Sequence, residues 1–242
     1  MPFAKPRWVV FLLPFAVYTL LGALEPASEG STAAWLGLPI PYATYPLFYL
    51  LKIALTVVAI AWVWPGYRQF PLQLSPWALL IGGVGVVVWI VLCSLERWFG
   101  QAFSLGWLAS LGGRAAYDPF TQLADHPALA WGFLAVRFLG LAALVPLIEE
   151  SFLRGFLLRY VVAPRWWDVP FGKLTPLAVV VAVGVPVLYH PATEMLAVAV
   201  WFGMVTWLMA KTRNFWDCVA AHALTNLLLG IYVVAFGQWW LW

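Results

Sequence analysis

Residues 128–148 read ALAWGFLAVRFLGLAALVPLI, an apolar run broken by a single charge, Arg137. A helix needs about 20 such residues to cross a bilayer core roughly 30 Å thick. Lipid offers the backbone no hydrogen-bond partner, so a crossing segment must satisfy its own amides and carbonyls, as a helix does. Six more runs of this kind fall at 8–24, 45–64, 77–95, 175–189, 194–210 and 215–236. The run from 128 is expected to continue helically through residue 160. The fold class expected is therefore all-α, a polytopic transmembrane bundle of about seven spans. Composition agrees: 64% of residues are hydrophobic and 10% charged, against about half and a quarter in soluble domains.

No shift in composition divides the chain, so residues 1–242 read as one integral membrane domain. Within it, 1–127 hold the N-terminal spans and 128–236 the spans that carry the chemistry discussed below. The segment 97–112 is too short and interrupted to cross and is expected to lie as an interfacial helix. The first run lacks a small-residue cleavage site and reads as a retained span. Cys93 and Cys218 both sit in apolar surroundings, as buried free thiols do. Trp166 and Trp167, beside Arg165, read as an interfacial belt, and the other tryptophans as lipid-facing or interfacial anchors. The net charge of +3 rests on few groups and points to no nucleic-acid partner. Its distribution is more informative. Lys5 and Arg7, Arg68, the group Arg154, Arg159, Arg165 and Lys173, and the pair Lys211 and Arg213 all fall on one side of the expected bundle. Basic loops stay in the cytoplasm, so the N-terminus is expected inside.

Ionisable side chains within spans cost roughly 3 kcal/mol each on insertion scales, which makes them functional or paired. Those inside or at the ends of the runs are Lys52, Arg137, Glu149, Glu150, Arg154, His190 and His222, with the amide Asn226 beside them. His126 lies outside the runs and reads as a solvated loop residue. For Lys52 and Arg137, snorkelling or a buried ion pair is the expectation, with Glu25 a candidate partner for either.

The stretch PLIEESFLRGF sets two acids side by side. Glu150 and Arg154 are four residues apart and share a helix face. Glu149 is turned about 100° away, with Leu153 at its own fourth position, so the local sequence offers it no partner. Burial without a countercharge makes a carboxylate a better base. Two readings are open here: Glu150 structural and Glu149 chemical, or both acids in a solvated network with the nearby arginines. In NFWDCVAAHALTNLLLG, Asn214 and Asp217 resemble a capping box that starts the last helix. His222 and Asn226 then share a face, where they could bind an oxyanion or act as hydrogen-bonding glue between helices. His190 ends its span in VPVLYHPATE. Glutamate, histidines and asparagine from three spans would suffice to activate water and hold an oxyanion. They could also ligate zinc, as Glu149, His190 and His222, although no HExxH motif is present.

These motifs have a likeness. EESFLR matches an EExxxR motif, and His190 and HALTN match the second and third motifs of the CPBP family. Its members are intramembrane proteases related to the CAAX-processing enzymes and to bacteriocin-processing proteins. The chain resembles that family over roughly residues 128–236, and its tryptophan-rich N-terminal spans and AAYDPF resemble a bacterial branch that accompanies exosortase systems. The resemblance implies that Glu149 and His190 activate the attacking water, that His222 and Asn226 bind the oxyanion, and that Glu150 pairs with Arg154. It further implies hydrolysis of a membrane-anchored or lipidated peptide or protein in a bacterial cytoplasmic membrane. A glutamate-type reaction without a cofactor is favoured, with zinc the other option. A catalytically idle scaffold and a proton-coupled transporter are the alternative functions. One departure stands out. The family's second motif has an aromatic residue four positions before its histidine, where this chain has Pro186. Tyr189, or a kink at Pro186, would have to compensate.

Overall fold

The computed structural model describes residues 6–26, 41–103 and 116–242. All seven apolar runs are helices: α1 (Arg7–Gly22), α2 (Tyr45–Val63), α3 (Pro76–Ala102), α4 (Pro127–Val162), α5 (Pro176–Tyr189), α6 (Met195–Thr212) and α7 (Phe215–Phe236). Among the described residues there is no strand. Five of the helices are long and apolar enough to cross a membrane, whereas α1 and α5 are shorter. At 16 and 14 residues they span about 24 and 21 Å at 1.5 Å per residue. The expected interfacial segment divides. Its first part, through Ala102, continues α3, and 104–112 lie outside the described residues.

Local chemistry explains the helix ends. Proline stands in the first turn of α2, α3, α4 and α5, where its missing N–H costs nothing. Gly237, with φ +64°, closes α7. Pro191 disfavours helical geometry at the residue before it, so α5 stops at Tyr189 and His190 is extended.

Helix α4 does run through the acid pair, but not uniformly. Two π-helical turns, Gly140–Leu144 and Ser151–Leu157, bracket the α-helical piece Val145–Glu150. Each π turn accommodates an extra residue and shifts the register of the faces beyond it. The two acids therefore sit at the end of a short segment whose register is set independently of either end of α4.

The helix ends gather as the charge pattern expects. On the basic side, Arg7 lies over the Trp167 ring at 4.9 Å and Lys211 over Trp77 at 4.4 Å. Asn214 caps α7 through the Trp216 N–H at 3.0 Å. The capping box is not completed, because Asp217 turns instead to α3 and accepts from Ser75 N at 2.7 Å and Ser75 Oγ at 2.8 Å. A buried carboxylate gains two donors there, at the N-terminus of a neighbouring helix. On the opposite side, the Glu96 carboxylate accepts from Leu196 N at 2.7 Å and Ala197 N at 3.3 Å, capping α6 from α3. Lys52 pairs with Glu25 there and lies 4.3 Å over the Tyr18 ring, as a buried ion pair rather than a snorkelling chain. Arg137 donates to the Tyr117 carbonyl at 3.1 Å and lies over Trp242 at 4.9 Å.

Two tryptophan expectations are corrected. Trp166 is buried rather than interfacial, its ring edge-on to Phe11 at 5.2 Å and Phe156 at 5.3 Å; Trp167 stays exposed. Trp89 and Trp201 are likewise buried rather than lipid-facing. Their burial follows from a close crossing of α3 and α7. A Cβ at Gly82 would stand 2.9 Å from the Ala221 carbonyl, and one at Gly85 2.8 Å from both Thr225 Oγ1 and Trp201 Nε1. Small residues at such crossings let backbones approach and let buried polar atoms meet. Gly85→Val is accordingly expected to lower stability by about 1–3 kcal/mol, the usual cost of overpacking. Thermal unfolding in detergent checks this, with Gly83→Val as the control, since a Cβ at Gly83 meets nothing within 4 Å.

Candidate active site

Helical spacing gathers the polar residues. On α7, His222, Thr225, Asn226 and Leu229 fall at positions i, i+3, i+4 and i+7, one continuous face. On α4, Leu141, Val145 and Glu149 form a second stripe. Both stripes, together with His190 at the end of α5, line one cavity of about 510 Å³. Glu149, His190, His222 and Asn226 thus face a common space although the chain between the first and last crosses two helices.

The two acids are separated by their surroundings. Glu150 is fully buried and its Oε2 accepts from Arg154 Nη1, itself fully buried. Arg154 Nη2 reaches the Phe202 carbonyl at 3.1 Å and Thr206 Oγ1 at 3.3 Å on α6. The expected i,i+4 pair is present, and it also ties α4 to α6. The other oxygen, Glu150 Oε1, lies 3.0 Å from His222 Nδ1. An arginine-bound carboxylate only accepts, so His222 Nδ1 carries a proton and donates. That leaves His222 Nε2 directed towards Glu149 Oε2, 3.9 Å away. The partner that local sequence denied to Glu149 is therefore supplied from across the bundle.

His190 is held differently. Its backbone N–H and its ring Nδ1 both lie within hydrogen-bond distance of the Pro186 carbonyl, at 3.1 and 2.9 Å. A carbonyl only accepts, so Nδ1 is the protonated nitrogen and Nε2 the acceptor nitrogen when the ring is neutral. Pro186 thus does more than replace an aromatic residue: its carbonyl, near the open end of α5, orients the histidine. Tyr189 also lines the cavity, its ring 4.8 Å from that of His190.

Asn226 donates from Nδ2 to the Leu141 carbonyl at 2.8 Å, inside the first π turn of α4. This bond couples the amide to the register shift, and the second hydrogen on Nδ2 remains for another acceptor. Three wall residues escaped the sequence reading. The Trp201 ring packs 4.4 Å from that of His222, and its Nε1 donates to Thr225 Oγ1 at 3.2 Å. Thr225 Oγ1 stands 3.0 Å from the Gly82 carbonyl, which links α3, α6 and α7 behind the histidine. Trp89 completes that wall, its ring 6.2 Å from His190. The placement of Thr225 one turn from His222 was a signal available in HALTN; nothing in the sequence singled out either tryptophan. As for a metal, Glu149, His190 and His222 are the cavity's own candidate ligands. Among the described residues, no three His, Cys, Asp or Glu side chains are gathered at ligating geometry.

Removing one member of a buried charge pair strands the other. Arg154→Leu is expected to cost about 3–5 kcal/mol, whereas the double change Glu150→Met with Arg154→Leu should cost less than that single change. Unfolding midpoints of both variants in one detergent test this.

Comparison with known proteins adds a family likeness. No curated protein and no solved structure matches the chain. Residues 131–228 match the family described as Rce1-like, type II CAAX prenyl endopeptidase Rce1-like, and the matched stretch contains EESFLR, His190 and HALTN. Over residues 131–228 the chain is therefore similar to the Rce1-like CAAX endopeptidases, the group its motifs resemble.

Proposed function

We propose that this protein is an intramembrane endopeptidase that cleaves a peptide bond in a membrane-anchored or lipidated substrate. The observation that carries this reading is the convergence of Glu149, His190, His222 and Asn226 on one cavity. Glu149, with the His190 Nε2 lone pair as a second acceptor, removes a proton from water as the water oxygen attacks the scissile carbonyl carbon. The carbonyl electron pair moves onto oxygen, and the oxyanion is met by His222 Nε2–H and the second Asn226 Nδ2–H. Protonated Glu149 then passes its proton to the amide nitrogen as the C–N bond breaks.

This role makes a specific demand on His222. Its Nδ1 already donates to Glu150, so donation through Nε2 requires both ring nitrogens to be protonated. Two carboxylates, Glu149 and Glu150, stand against one guanidinium, Arg154, and a single imidazolium makes the group neutral. Glu150 and Arg154 are, in this reading, positioning residues for His222.

Zinc held by Glu149, His190 and His222 would instead polarise the carbonyl and lower the pKa of bound water. The absence of an HExxH motif from the sequence leans the reading towards the glutamate-type reaction. The membrane is expected to be a bacterial cytoplasmic membrane, with the basic helix ends inside.

Glu149→Gln is expected to lower turnover by about 10²–10⁴-fold, the usual worth of a general base, with an unchanged unfolding midpoint. His222→Ala should lower turnover similarly, and should also lower the unfolding midpoint, because it leaves the buried Glu150 without its second partner. Turnover of a lipidated reporter peptide in detergent, followed by mass spectrometry, reads this; wild-type turnover retained by Glu149→Gln overturns the role. A phenanthroline titration with metal analysis of the purified protein separates the two mechanisms: loss of activity with stoichiometric zinc overturns the glutamate reading.

A further inference from the structure

The cavity is not open equally in both directions. Towards the basic helix ends, α4, α6 and α7 are closed beneath it, and the separate clefts on that face, which reach Phe11, Phe70, Phe215 and Asp217, share no lining residue with it. On α4, Glu150, Leu153, Arg154 and Leu158 have no exposed surface. On α6, Val205, Leu208 and Met209 are equally enclosed, and on α7 so are Asp217, Cys218 and Ala221. Phe11 of α1 and Phe215 of α7 fill the space between these helices, each 1% exposed, and Phe70 stacks on Phe215 at 4.4 Å. A water or peptide approaching from the basic side would meet a packed floor in which the Glu150–Arg154 pair and the Ser75-bound Asp217 are enclosed by apolar side chains.

The other direction differs. The rim of the cavity is formed by the far turns of the two short helices. Thr19 and Ala23, at the end of α1, line the cavity and are exposed. Tyr189, at the end of α5, lines it and is 40% exposed. Both helices start at the basic side, and at about 24 and 21 Å they stop short of a hydrocarbon core roughly 30 Å thick. Among the described residues, the only exposed residues lining the cavity are thus at the helix ends away from the basic side. The depth of the chemistry fits. His222 is seven residues into α7, about 10 Å along the axis from the basic side, and forms the bottom of the cavity rather than its entrance.

From this polarity we infer that the site is loaded from the extracytoplasmic side: the substrate is an apolar peptide segment carried next to its anchor in the outer leaflet, entering between the outer turns of α1 and α5. The inference rests on the peptidase reading for the word substrate and on the basic helix ends for the word outer. The floor and the rim stand independently of either. The contributors to the rim, α1 and the end of α5, set what can enter, and α1 lies wholly outside the segment matched to the family. Aromatic rings at that entrance, Phe15, Tyr18 and Tyr189, favour an extended, uncharged segment over a charged one.

Two measurements test this. In a Cys93→Ala, Cys218→Ala background, single cysteines at Thr19, Ala23 and Lys211 are treated with a membrane-impermeant sulfonated maleimide in right-side-out and inverted vesicles. The expected result is labelling of Thr19→Cys and Ala23→Cys in right-side-out vesicles and of Lys211→Cys in inverted ones. Labelling of the two rim cysteines in inverted vesicles alone overturns the inference. In the second measurement, a quenched apolar peptide with an N-terminal palmitoyl chain is added to one face of proteoliposomes whose protein orientation is fixed. Cleavage is expected when the peptide is on the side of the rim and lost when it is on the side of Lys211; the reverse pattern overturns the inference. If the peptide is not cleaved even in detergent, the peptidase reading for such substrates fails, and the thiol labelling alone decides which way the cavity opens.

Discussion

Everything at the centre of this bundle hangs on one carboxylate. Glu150 binds Arg154 with one oxygen and His222 with the other; Glu150 and Arg154 are fully buried, and His222 reaches from them to the cavity. In such surroundings a charge is kept by a countercharge and by hydrogen bonds to its polar atoms. Arg154 Nη1 meets Glu150 and its Nη2 meets the backbone and a hydroxyl of α6, so a single charge cluster fastens α4, α6 and α7 together. The cost of separating these partners in a low-dielectric interior is what holds three helices in one relative placement, and the cavity above them inherits its shape from that placement.

The second determinant is the interruption of regular helix. A straight α4 would carry its polar and apolar faces in a fixed phase from end to end. The two π turns around Val145–Glu150 release that phase, so the acids point inward while the remainder of α4 packs on α1 and α2. One of the carbonyls in the first π turn is answered by Asn226. The end of α5 is a further interruption: Pro191 stops the helix, and the Pro186 carbonyl turns the His190 ring into the cavity. Irregular backbone in a membrane protein persists where side chains or a polar cavity satisfy it, and here both interruptions lie beside the proposed chemistry.

The residues of the proposed chemistry and the rest of the cavity wall come from different parts of the chain. The acids, histidines and asparagine belong to the stretch matched to the Rce1-like family. Trp89, the outer turns of α1 and the C-terminal residues Leu241 and Trp242, which also line the cavity, lie outside it. A reacting centre built on rigid, ion-clamped helices and walls contributed by separate helices would allow the substrate to change without disturbing the reaction.

By itself the sequence determined the fold class, the seven helices, the pairing of Glu150 with Arg154 and the side of the bundle on which basic residues gather. These are legible because they depend on local quantities: the length of apolar runs, the 3.6-residue period, and the cost of a charge in lipid. Only the tertiary structure decided that Glu149 faces His222, that Glu150 holds that same histidine, that Asp217 caps α3 rather than its own helix, and that Trp89, Trp166 and Trp201 are core residues. Each of these depends on which faces of distant helices meet. The close crossing at Gly82 and Gly85 and the register shifts in α4 set those meetings, and a π turn leaves no mark in an apolar sequence, because the residues on either side of it are equally at home in an α-helix.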